Sequence, residues 1–170
     1  MTRKTAHEDS PEAAPEGMAV REVGQADLDA ARRLRFEGLD RDLGRQFDPT
    51  PDAQDEDPKT IHIGAFDGDT LVGTARLYPI EDVQGYFAQL VVVDEARRGQ
   101  GIGTQMMRAA EAVVQQRGGK RIYLDAIDRE EVIRFYERMG YQHVSYNQNK
   151  MVVILNGRPH LKMVKELSDG

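Results

Sequence analysis

The chain has 170 residues, a length suited to one domain with a full core, and a formal net charge of −6. That charge argues against nonspecific nucleic-acid binding and favours cationic partners. There is no cysteine, which excludes a disulfide frame, a thiol nucleophile and a thiolate zinc site. No apolar run approaches membrane-spanning length and no signal-peptide core opens the chain, so a soluble, cytoplasmic protein without a membrane partner is expected.

Met1 to Gly17 is polar, contains Pro11 and Pro15 and has no periodicity, so it reads as a disordered tail before a domain spanning residues 18–170. Met18 to Glu22 reads as a short first strand. Asp27 stands where it would cap a helix carrying Leu28, Ala31, Leu34, Arg35 and Leu39, continuing toward Leu43 with a break near Gly44. The next segment, DPTPDAQDEDP from Asp48 to Pro58, holds three prolines and five acidic residues. Two readings stay open for it: a solvated surface loop, or the negative wall of a cleft that concentrates an amine-bearing substrate.

Thr60 to Phe66 alternates as a strand, Asp67-Gly68-Asp69 is a hairpin turn, and Thr70 to Tyr78 returns. Gly85 to Val93 is a further strand, closing on the β-branched run Val91-Val92-Val93, which is expected to be buried. A charged turn, Asp94 to Arg98, leads into Gly99-Gln100-Gly101-Ile102-Gly103. An amphipathic helix follows, with Met106, Met107, Ala110, Val113 and Val114 on its apolar face, and Gly118-Gly119 stops it.

Glycines between a strand and a helix start make an anion site. Unpaired N–H groups converge there, the helix dipole is positive, and the missing Cβ atoms let a phosphate touch the backbone. A P-loop would need a lysine near the end of the run, but Gly103 is followed directly by Thr104. A dinucleotide fold would need wider glycine spacing and an earlier position in the chain.

Beyond this helix, Arg121 to Ala126 is a short strand. Asp128 or Arg129 then opens a helix with Val132, Ile133, Phe135, Tyr136 and Met139 as apolar positions, ended by Gly140. Tyr141 to Asn147 and Met151 to Leu155 are extended, Asn156-Gly157 is a hairpin signal, and His160 to Leu167 is a last strand with Pro159 at its start. This order gives an α/β class: a mixed, mostly antiparallel central sheet with helices on both faces.

Arg98-x-x-Gly101-x-Gly103 after an apolar strand resembles the coenzyme A pyrophosphate signature of the GNAT acyltransferase superfamily. Arg134 to Tyr141, RFYERMGY, resembles the FYxxxGF segment that follows the fifth strand there, and Gly157-Arg158-Pro159-His160 resembles the GxPH element of small bacterial GNAT proteins. The resemblance covers about Met18 to Leu167. It implies an N-acetyltransferase with acetyl-CoA as donor, an amine of a small molecule or peptide as acceptor, direct attack in a ternary complex, no metal, and a homodimer as an open possibility.

Residue by residue, the resemblance places the pantetheine arm along Val91, Val92 and Val93, with the Val91 N–H as oxyanion donor. The pyrophosphate would be wrapped by Arg98, Gly99, Gln100, Gly101, Ile102, Gly103 and Thr104. Phe135 would line the cofactor. Tyr136, a phenol of pKa near ~10, would be the general acid for a departing thiolate of pKa ~8.5. The chain departs from the pattern at Arg129, where many members have asparagine, and at Glu95, where proline is usual. No residue type marks the general base. Tyr86, Phe87 and Gln89 open the strand where relatives carry a glutamate, leaving Glu81, Asp82, His62, His160 or a water chain as candidates. Two other classes stay in play: a CoA-binding regulatory module without turnover, and a nucleotide or phosphosugar binder.

Overall fold

The computed structural model describes residues 17–48 and 50–168, so the expected tail lies outside the described residues except for Gly17. The chain packs as two compact units. The first comprises the described residues up to Tyr78 together with Leu90–Val113, and the second comprises Pro79–Gln89 and the described residues from Val114 onward. The class is the expected α/β one, with a mostly antiparallel sheet.

In the first unit, β1 (Met18–Glu22), β2 (Ile61–Asp67) and β3 (Thr70–Ile80) form consecutive antiparallel ladders, from Met18↔Asp67 and from Ile61↔Leu77. The Asp67↔Thr70 pair closes a two-residue loop on Gly68 (φ 59°), as the Asp-Gly signal predicts. β2 is not the alternating strand expected, because Ile61 through Phe66 are all buried. Helix α3 (Ile102–Gln116) packs on this sheet through Met106 and Met107, both fully buried. Gly73 makes room for it: a Cβ there would lie 2.8 Å from the Met106 sulfur.

Helix α1 (Leu28–Arg35) is shorter than expected. It passes into a wide turn at Phe36–Asp40 and a tight one at Arg41–Leu43, and stops at Gly44 with φ 75°. Asp27 lies inside a preceding tight turn, at φ −100° and ψ −2°, so its side chain makes no cap hydrogen bond. Leu39 is outward-facing at 37% exposure, since the winding changes before it. The acidic stretch contains a one-turn helix, α2 (Ala53–Glu56), whose cap is Asp52, accepting from the Asp55 N–H at 2.8 Å.

Strand β4 (Gly85–Val93) is divided between the units after Gln89, next to Leu90, which has φ 54°. Its valine run is less buried than expected: Val92 is 5% exposed, while Val91 and Val93 are half-buried.

In the second unit the order is β4, β5 (Arg121–Ile127), β10 (Arg158–Glu166), β6 (Gln142–His143). β4 and β5 are parallel over four pairs, Gly85↔Arg121 to Ala88↔Leu124, and that ladder ends there although β5 runs on to Ile127. β5 and β10 pair antiparallel from Arg121↔Glu166 to Ile127↔His160. Helix α4 (Glu130–Arg138) follows Arg129, which is extended and makes no side-chain cap. Gly118, at φ 83°, ends α3 as expected.

The C-terminal region holds two hairpins where one was expected. β7 (Ser145–Tyr146) and β8 (Asn149–Lys150) turn through Asn147 (φ 50°) and Gln148 (φ 68°), a pair without glycine that gives no strong signal. β9 (Val152–Leu155) pairs with β10 through Asn156 (φ 53°) and Gly157 (φ 74°), both left-handed as Asn-Gly predicts. Among the described residues, no helix is long and apolar enough to cross a membrane.

Candidate functional site

The turn after β4 is built by local hydrogen bonds. The Asp94 N–H donates to the Val72 carbonyl at 2.8 Å, and the Asp94 side chain accepts from the Ala96 N–H at 3.3 Å. Glu95–Arg97 form one tight turn, anchored by the Arg97–Asp67 ion pair at 2.6 Å. Arg98 then folds its Nε–H onto the Val93 carbonyl at 3.2 Å, which ties the loop to the end of the strand. Gly99 (φ 80°) and Gly101 (φ 79°) are left-handed, a conformation that strains any residue with a Cβ. Around Gly99 the space is open, so its glycine answers to backbone conformation alone.

The first bond of α3 runs from the Gln105 N–H to the Gly101 carbonyl at 3.1 Å. The N–H groups of Gly101, Ile102, Gly103 and Thr104 therefore precede the helical ladder, at the positive end of a 15-residue helix. Backbone donors, a positive helix end and Arg98 form a donor set that fits a pyrophosphate. All of Val91 to Thr104 belongs to the first unit, and the structure brings these predicted residues together as one continuous strand, turn and helix start.

Phe135 and Tyr136 belong to the second unit. Tyr136 is 8% exposed, with the Tyr141 ring edge-on at 5.6 Å and the Phe135 ring at 5.0 Å, while Phe135 is half-buried. The last turn of α4 closes over Tyr136, whose carbonyl accepts from the N–H groups of Met139 (3.1 Å) and Tyr141 (3.0 Å). Burial pushes the Tyr136 phenol up to about 12, above the ordinary value assumed from sequence.

The base candidates separate clearly. Glu81 and Asp82 are exposed in the turn before β4. His160 is half-buried, with Nδ1 3.0 Å from the Arg158 carbonyl. His62 is 8% exposed and its Nδ1 lies 3.2 Å from Arg35 Nη2. A guanidinium only donates, so Nδ1 accepts and the ring is neutral. Desolvation first, and then the charge of Arg35, lower its pKa. His62 is therefore committed to a buried cluster.

The acidic segment is a solvated surface loop at Asp48, Asp52, Glu56 and Asp57, which are exposed, and departs from that reading at Asp55, which is buried. Asp55, 4% exposed, accepts from Arg35 Nη1 at 2.8 Å and Arg76 Nη1 at 3.1 Å. Asp52 accepts from Arg76 Nη1 at 2.7 and 2.8 Å. Asp55 neutralises buried arginines of α1 and β3, while Asp52 pairs with Arg76 from an exposed position. Sequence reasoning missed Arg35 and Arg76 as partners; two arginines at positions of apolar period were the available signal.

Residues 28–141 match the acetyltransferase (GNAT) family. The chain belongs to that family. N-alpha-acetyltransferase 30 of Schizosaccharomyces pombe is 35% identical over 82 residues, 45% of this chain and 54% of that protein. The chain spans 54%, 22% and 42% of the lengths of three curated relatives it matches, about half or less. An acyl-CoA N-acyltransferase of Pseudomonas aeruginosa superposes with a TM-score of 0.69 at 25% identity, over 87% of this chain and 97% of its own. An aminoglycoside 6'-N-acetyltransferase complexed with coenzyme A superposes at 0.68 and 24% identity, over 87% and 96%, which shows a common fold. The GNAT match takes in the whole glycine turn and the RFYERMGY segment. The family is one of acetyltransferases, and the donor set at Gly99 to Thr104 suits a pyrophosphate.

Proposed function

We propose that this GNAT protein acetylates a primary amine of a small molecule or peptide by direct attack in a ternary complex. The observation that carries the reading is the turn itself: left-handed Gly99 and Gly101, and N–H groups through Thr104 ahead of the first helical bond. Acetyl-CoA supplies the thioester carbonyl that the amine attacks. Gly99, Gln100, Gly101, Ile102, Gly103 and Thr104 hold the pyrophosphate with backbone N–H groups, assisted by Arg98. The backbones of Val91, Val92 and Val93 hold the pantetheine arm, and the Val91 N–H polarises the acyl carbonyl. Support comes from β4 running on to Val93 beyond the last β5 pair at Ala88. Phe135 lines the cofactor and Tyr136 protonates the leaving sulfur.

One observation favours the second reading, a CoA-binding regulatory module without turnover: burial makes Tyr136 a weaker acid than an ordinary phenol. An amine-library screen with thiol-release detection separates the two. Thiol release with at least one amine supports the enzyme, and acetyl-CoA binding with no release from any amine favours the module. A thermal-shift comparison of acetyl-CoA, ATP and NAD checks the nucleotide alternative, because only a ligand of the native state raises its stability.

A valine at Gly101 tests the phosphate site. It adds a β-branched side chain at φ 79° beside the N–H groups that must touch the anion. We expect acetyl-CoA affinity to fall by more than about tenfold by calorimetry, with the fold retained by circular dichroism. Parent-like affinity would place the pyrophosphate elsewhere.

A further inference from the structure

The second unit contains a place already built for an ammonium group, occupied by one of the chain's own side chains. Lys162 on β10 and Asp125 on β5 are direct partners in the antiparallel register, and Lys162 Nζ lies 2.9 Å from Asp125 Oδ1. The same Nζ stands 5.2 Å from the centre of the Phe87 ring on β4. A carboxylate and an aromatic face are the two groups that stabilise an alkylammonium best without an anion of higher charge. The Asp125 side chain is only 10% exposed, and that of Lys162 is 25% exposed.

The position in the sheet gives this nook its meaning. Ala88↔Leu124 is the last pair of the β4–β5 ladder, so Asp125 is the first β5 residue beyond it. On the opposite face Tyr86, Ala88, Ile122, Leu124 and Ala126 are buried core. Phe87, Tyr123 and Asp125 are only half-buried, so this face stays accessible to a ligand. The pair is part-buried, so the attraction between its charges is set against the desolvation of both groups.

We propose that Asp125 and Phe87 receive an ammonium group of the acceptor other than the amine that is acetylated, and that Lys162 is its built-in competitor, displaced when the acceptor binds. This rests on the amine-acetyltransferase reading and specifies which residues select the acceptor. The favoured acceptors carry, besides the neutral amine that attacks, a second, unbranched primary ammonium, since the ligand must replace an alkylammonium of lysine geometry. Acceptors without that second ammonium gain little from the site.

The test uses the full chain and opposite signs. Asp125→Asn removes the charge that holds the ammonium and should raise the acceptor KM by about tenfold or more. Lys162→Met keeps the stem but removes the competitor, and should lower that KM severalfold. Lys162→Arg restores a cation and should return toward the parent. The KM for acetyl-CoA should stay within about twofold throughout. Independently of turnover, titrating isotope-labelled protein with butylammonium chloride should shift the backbone amides of Phe87, Asp125 and Lys162, more tightly in Lys162→Met and not in Asp125→Asn.

If the pair is only structural, both variants will shift the melting temperature together and move KM in the same direction or not at all, which overturns the proposal. Unmoved amides in the parent and in Lys162→Met also overturn it. Calorimetry with acetyl-CoA keeps the two levels apart. Donor binding with a null amine titration rejects this site alone, whereas absent donor binding rejects the acetyltransferase reading beneath it.

Discussion

Tyr136→Phe will lower kcat by about 100-fold, the lower end of the range for a positioned general acid, with a much smaller change in the KM for acetyl-CoA. The lower end applies because burial pushes the phenol up to about 12. A donor that weak shares its proton with a thiolate of pKa ~8.5 through a hydrogen bond more than it transfers it. The fold should survive, since the ring contacts to Tyr141 and Phe135 do not use the hydroxyl. A loss confined to kcat marks an interaction made in the transition state, whereas a loss confined to KM would recast Tyr136 as a binding residue. Parent-like kcat in a folded variant would remove Tyr136 from the mechanism.

The raised value adds a control in alkali. Between roughly pH 10 and 12 the unfolded chain ionises this tyrosine while the folded chain keeps its proton. The unfolded state then binds fewer protons, so stability falls as pH rises through that window. Tyr136→Phe should flatten that part of the stability curve, measured by urea denaturation at each pH.

Asp55→Ala will cost about 3–5 kcal/mol, the usual consequence of removing one partner from a buried ion cluster. Arg35 and Arg76 are 5% and 4% exposed, and both donate to Asp55. Arg76 would retain Asp52, whose side chain is 56% exposed. Arg35 would retain a hydrogen bond only to a neutral imidazole, leaving a buried cation with no carboxylate in direct contact. Urea denaturation reads the cost directly, and a variant as stable as the parent would show that water reaches the cluster freely.

The same cluster predicts weakness in acid. For Asp55, desolvation raises the pKa, but hydrogen bonds and charges from Arg35 and Arg76 outweigh it and the net direction is down. For Asp52 the opposing pull comes from Arg76. His62 is lowered by desolvation and by Arg35. All three favour the deprotonated form in the folded state, so their contributions are full above the unfolded values. Stability should begin to fall below about pH 6.5 through His62, and fall again below about pH 4 through Asp52 and Asp55. His62→Gln should remove the first step and leave the second.

The glycine turn between β4 and α3 was legible in the sequence because its geometry is local. Left-handed glycines, a β-branched strand before them and an amphipathic helix after them each act within a few residues, and no distant contact is needed to place them. The same holds for the Asp67-Gly68-Asp69 and Asn156-Gly157 turns, where residue type sets the backbone angles. Family membership followed from that local grammar together with RFYERMGY.

Long-range pairing decided the rest. Asp55 meets Arg35 and Arg76 across 20 and 21 residues, and no periodicity reports which acidic residue of DPTPDAQDEDP turns inward. Lys162 reaches Asp125 across 37 residues only because β10 returns antiparallel beside β5 in one register, and a one-residue slip would send the two side chains to opposite faces. The acidity of Tyr136 depends on how deeply α4 sinks its ring beside Tyr141. Sequence alone determined where the backbone can turn. Only the tertiary structure decided which charges are buried, because burial and charge pairing belong to whichever segments the sheet register brings together.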